Sequence, residues 1–79
     1  MNNKDVLKKL FIESLSIEKK DFSENLEYNS IPQWDSIGHM TLVAAIEEKF
    51  NITIDTDDIV DFSSFKKGVE ILKKYEVTF

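Results

Sequence analysis

The 79-residue chain sets ten lysines and no arginine against fifteen Asp and Glu, a formal charge of −5, and it contains no cysteine. A chain of this size makes one domain, spanning 1–79, and leaves little room for a deep catalytic cavity. The missing cysteine excludes a disulfide scaffold, a thiolate metal site and a cysteine nucleophile, and the acidic balance argues against nucleic-acid binding and against adhesion to anionic membranes. The first five residues hold no apolar stretch of the signal-peptide kind. The longest apolar run, 42–46, falls far short of the roughly 20 residues that span a bilayer. A cytoplasmic globular protein, without stable membrane insertion, is the expectation.

Helical spacing of Val6, Leu7, Leu10, Phe11 and Leu15 predicts a first helix over 3–15, capped by Asn2 or Asn3, with Lys8, Lys9 and Glu13 facing water. Residues 16–35 show no sustained period. They still contain Ile17, Phe22, Leu26, Tyr28, Ile31 and Trp34, so an ordered loop anchored to the core is expected rather than a linker. A second helix is predicted over 36–50, with Asp35 or Ser36 at its start and Asn51 just past its end. One of its faces holds Leu42, Val43, Ile46 and Phe50; Ile37, Met40, Thr41 and Ala44 lie on another. A helix that is apolar on two sides is either central in the core or reserved in part for a partner.

Residues 51–55 alternate, but no second strand is available, so they are assigned to an extended loop. A short third helix, capped by Asp55 or Thr56, runs to Asp61. There Asp57, Asp58 and Asp61 are expected to serve as a cap and a solvated face. A fourth helix is predicted over 64–76, capped by Ser63 or Ser64, with Phe65, Gly68, Val69, Leu72 and Tyr75 facing inward and Gly68 marking a close helix crossing. The fold class is therefore all-α: a small four-helix bundle of three main helices and a short third one, with a long ordered loop between the first two. Charge is unevenly spread. Residues 35–61 hold one lysine against seven acids, −6, whereas 62–79 carry +2. An acidic, partly apolar surface of this kind steers basic partners.

The stretch Trp34-Asp35-Ser36-Ile37-Gly38-His39-Met40 carries the chemical signal. A serine at a helix start sits where backbone N–H groups and the macrodipole favour negative charge, although Asp-Ser is equally an ordinary cap. A Ser36–His39 catalytic pair is not expected, because a helix surface supplies neither an orienting group nor an oxyanion hole. His39 is expected to be a packed helical histidine and Trp34 a loop anchor near Ser36.

Over nearly its whole length the chain resembles the acyl carrier protein family. Asp35-Ser36-Ile37 is similar to that family's Asp-Ser-Leu attachment site, and Ala45-Ile46-Glu47-Glu48-Lys49-Phe50 to the end of its second helix. The resemblance implies a carrier rather than an enzyme. A phosphopantetheinyl transferase would place 4′-phosphopantetheine from coenzyme A on Ser36, and the arm's thiol would hold acyl groups as thioesters. It further implies that Asp35 takes part in transferase recognition and is a transient Mg²⁺ ligand there. Ile37, Met40, Thr41 and Ala44 would meet partner enzymes, and Glu47 and Glu48 would pair with partner cations. The partners implied are the transferase and acyl or aminoacyl ligases, synthases and transferases, met by a monomer. Gly38 replaces an acid common in fatty-acid-synthesis members. Trp34 and His39 are similar to stand-alone carriers of polyketide, aminoacyl or surface-glycan pathways, with Gln33 in place of their glycine. A fatty-acid-synthesis carrier and a D-alanyl or aminoacyl carrier are the alternatives within this class. A helical interaction module with Ser36 as a mere cap is the alternative outside it. Ile54, Ile59 and Phe62 are assigned to the core first, and to a slot for an acyl chain second.

Overall fold

The computed structural model describes residues 2–79. Among these residues four α-helices follow in order: α1 (Asn3–Leu15), α2 (Ser36–Phe50), α3 (Thr56–Asp61) and α4 (Phe65–Lys74), with a 3₁₀ turn at Lys19–Asp21. No strand forms among the described residues; 52–55 are loop as expected, whereas Asn51 belongs to the left-handed turn that closes α2. No helix among them is long and apolar enough to cross a membrane.

Local chemistry sets most of the helix ends. Asn2 Oδ1 accepts the Asp5 N–H at 2.9 Å to start α1, Asp35 Oδ1 accepts the Gly38 N–H at 2.9 Å to start α2, and Ser64 Oγ accepts the Lys67 N–H at 3.0 Å to start α4. Each bond satisfies one of the amides that a helix start leaves without a partner. Asp55 stands at the cap position of α3, but its side chain makes no cap bond. Beyond α1, α2 and α4 the chain turns through left-handed residues, Ser16, Asn51 and Glu76. The next amide in each case returns to a carbonyl five residues back: Ile17 to Ile12, Ile52 to Glu47 and Val77 to Leu72. This closure usually employs glycine.

The two glycines stand inside helices instead, where contact with neighbours leaves no room for a side chain. A Cβ on Gly38 would lie 2.3 Å from the Gln33 carbonyl oxygen, and one on Gly68 would lie 2.3 Å from the Phe62 ring. The close approach at Gly68 is therefore to an aromatic ring just past α3, not to a crossing helix. α4 also stops at Lys74, two residues before its predicted end, because Tyr75 and Glu76 leave helical geometry to make the closing turn.

Leu7, Phe11 and Leu15 of α1 meet Leu42, Val43 and Ile46 of α2, and Phe62, Phe65, Ile71 and Leu72 complete the core. Ile71 was not among the expected inward residues of α4. The long loop is ordered: Trp34 is fully buried, Leu26 and Ile17 are buried, and Phe22, Tyr28 and Ile31 are half-buried. Loop backbone also joins the α3–α4 connection, where the Tyr28 N–H donates to Ser63 O at 2.8 Å and the Phe65 N–H to Leu26 O at 3.0 Å. These bonds explain how twenty residues without a period hold one conformation: the loop anchors are buried or half-buried, and backbone between them has partners.

Candidate functional site

The loop and α2 meet at a joint built around two rings. Trp34 Nε1 donates to His39 Nδ1 at 3.0 Å, and His39 Nε2 lies 2.9 Å from the Ile59 carbonyl oxygen of α3. Indole N–H is only a donor, so Nδ1 must accept; Nε2 then carries the hydrogen and donates to Ile59 O. The bonds thus assign His39 the neutral Nε2–H tautomer, and both nitrogens are satisfied. The two rings stack at 6.1 Å between centroids. The histidine is a structural bridge from the loop through α2 to α3, as expected of a packed residue.

Ser36 begins α2 beside this joint, with its side chain exposed. Its Oγ lies 3.1 Å from the Tyr28 hydroxyl. The Tyr28 ring packs edge-on against Trp34 at 6.2 Å and against His39 at 5.4 Å. A groove of about 360 Å³ opens at Ser36 between α2 and α3, with His39 and Met40 on one side and Ile59, Val60 and Phe62 on the other. Of the three residues expected in core or slot, Phe62 and Ile59 line this groove, whereas Ile54 is buried away from it.

The residues expected to meet partners separate into two groups. Ile37, Met40, Thr41, Ala44 and Glu48 are all exposed along one side of α2, and Ile37 is 79% exposed and Met40 55%. Val60 of α3, 75% exposed across the groove, extends this apolar rim and was not singled out from the sequence. The Thr41 hydroxyl is turned back to the Ile37 carbonyl at 3.0 Å. Glu47 differs from the rest. It is half-buried, and its Oε2 accepts the Ile54 N–H at 2.9 Å, which pins the α2–α3 loop. Asp35 has Oδ1 on Gly38, so its cap role and any role toward a cation share one carboxylate.

Asp58 departs from the expected solvated face. It is buried, and its two oxygens take Lys74 Nζ at 2.6 Å and the Tyr75 hydroxyl at 2.5 Å. Tyr75 in turn accepts the Asp55 N–H at 3.0 Å. The bond from Lys74, then that from Tyr75, holds the Asp58 carboxyl below its ordinary range. The same contacts raise the Lys74 ammonium and the Tyr75 phenol above theirs. No sequence signal announces this cluster, because its partners stand 16 and 17 positions apart.

A family model described as a phosphopantetheine attachment site matches residues 5–72. The chain belongs to this family, that of the acyl carrier proteins. The prosthetic group of an acyl carrier protein is 4′-phosphopantetheine, and such proteins work with a phosphopantetheinyl transferase and with acyl-handling enzymes. The site suits that group on structural grounds. A primary hydroxyl stands exposed on a helix start, its surroundings are fixed by bonded rings, and an open apolar groove adjoins it.

Proposed function

We propose that Ser36 is the residue that bears 4′-phosphopantetheine, and that the chain is a single monomeric, cytoplasmic carrier domain without catalysis of its own. The observation that carries this reading is the exposed Ser36 hydroxyl at the start of α2, inside the span of the family match. Ser36 Oγ forms the bond to phosphorus while the bond from that phosphorus to the adenosine bisphosphate part of coenzyme A breaks, and the serine proton passes to a base of the transferase. When bound, the group supplies a thiol that holds acyl cargo as a thioester. This chain has no cysteine to provide one. Asp35 serves transferase recognition and transient Mg²⁺ contact, an oxygen ligand of the type that ion prefers. Ile37, Met40, Thr41, Ala44 and Glu48 form the docking stripe.

The cargo belongs to a specialised pathway of polyketide, aminoacyl or surface-glycan type. Supporting this is the use made of the residues that depart from the fatty-acid-synthesis pattern. Gly38 admits the Gln33 carbonyl, and Trp34 and His39 form one bonded joint. Incubation with coenzyme A, Mg²⁺ and a broad-range transferase should add one phosphopantetheine by mass. Absence of that addition, or undiminished addition to Ser36→Ala, would refute the assignment. Loading of the product by acyl or aminoacyl ligases of known specificity then identifies the cargo.

A further inference from the structure

We propose that the Tyr28 hydroxyl is a phosphate contact: once Ser36 bears the prosthetic group, the phenol donates a hydrogen bond to a non-bridging oxygen of its phosphate. The inference rests on Ser36 being the attachment residue. In the unmodified chain the two hydroxyls lie 3.1 Å apart, and either can donate. Esterification removes that symmetry. Ser36 Oγ loses its proton and becomes a bridging ester oxygen, a poor acceptor, so Tyr28 becomes the only donor of the pair. The negative oxygens two bonds further on, across the phosphorus, are strong acceptors, and a hydrogen bond to an ionised group is the stronger kind.

The phenol is held in place independently of Ser36. Its backbone N–H is bonded to Ser63 O, and its ring stands edge-on to Trp34 and His39. Ser63 also lines the groove, but of the side chains there it is the Tyr28 hydroxyl that lies within hydrogen-bond distance of Ser36 Oγ. No lysine lines the groove, both nitrogens of His39 are committed to Trp34 and Ile59, and Asp35 is itself an anion. Tyr28 therefore presents an uncommitted neutral donor toward an anion that has no cation beside it in the groove. The hydroxyl is exposed at the site, so the ring and its packing survive its removal.

The test compares holo wild type with holo Tyr28→Phe by ³¹P NMR of the intact proteins. Tyr28→Phe should keep the melting temperature and be labelled to completion. Its phosphodiester line should be displaced from the wild-type position and relax as a more mobile group. A ³¹P line of wild-type position and relaxation in the folded, labelled variant overturns the proposal. Should Tyr28→Phe fail to fold, wild type carrying 3-fluorotyrosine at Tyr28 and Tyr75 replaces it. The Tyr28 ¹⁹F signal should move between apo and holo forms while that of Tyr75, held by Asp58, stays; an unmoved Tyr28 signal overturns the proposal. Failure to label wild type at all, or labelling of Ser36→Ala, would instead remove the attachment reading, so the two failures are told apart.

Discussion

The short helix α3 is fastened through two adjacent middle residues, Asp58 and Ile59, by different chemistry. Toward Ser36, the Ile59 carbonyl is held by His39, which is itself held by buried Trp34; every group there is neutral. Toward α4, Asp58 is held by Lys74 and Tyr75, and Tyr75 also receives the Asp55 amide; here the bonds are charged. Six residues are too few for a helix to stand by itself in water, so α3 depends on both fastenings. The neutral one ties it to α2 and the groove, the charged one to α4. Salt therefore acts on α3 mainly through the α4 contact, while the wall beside Ser36 is held by bonds that salt screens little.

Substitutions can break either fastening, and their expected effects fall in order. Trp34→Ala removes a fully buried ring and should destabilise the fold by about 3–5 kcal/mol, read by denaturant unfolding. A cost near zero would mean that the neutral fastening does not matter. Gly68→Ala drives a methyl into the buried Phe62 ring just past α3 and should cost about 1–3 kcal/mol. His39→Leu strands the buried Trp34 N–H and releases Ile59, at about 1–3 kcal/mol, with amide hydrogen exchange in α3 rising more than in α1. Equal rises in both helices would refute a fastening local to α3. The smallest effect sharpens the contrast through pH. The Asp58 carboxyl is lowered in the folded state, so its contribution is present above about pH 4 and is lost as pH falls through its folded value. Tyr75 and Lys74 are raised, so theirs hold below about pH 10 and are lost as pH rises through their folded values. Asp58→Asn should therefore be less stable than wild type at neutral pH, with the gap closing in acid, as read by denaturant unfolding across pH.

Legibility followed the range of the interactions. Caps at Asn2, Asp35 and Ser64 were each readable to one of two neighbouring residues because a capping bond joins residues three apart, and α1 and α2 carry apolar residues at helical spacing. The end of α4 was misplaced because its stop is Glu76 in a left-handed conformation, where the usual mark is glycine. Gly68 reads from the sequence as a close helix crossing; its neighbour is instead the Phe62 ring, outside any helix, and no local pattern names it. Asp58 looked like one more acid in an acidic run until Lys74 and Tyr75, far along the chain, came to it. At the candidate site, the Asp35-Ser36-Ile37 resemblance singled out Ser36. Tyr28 lies eight residues earlier in a segment without periodicity, so its contact with the serine became visible only when the loop folded. Glu47 looked equivalent to Glu48; the bond to the Ile54 amide separates them.

The chain has one tryptophan and one histidine, and the structure bonds them to each other within the joint that supports Ser36. The molecule thereby carries its own optical probe. Indole emission is sensitive to the charge and position of a neighbouring imidazole, and here all of it originates from one ring. Changes that reach the groove wall can be followed in the unlabelled protein, in real time, through a single fluorophore.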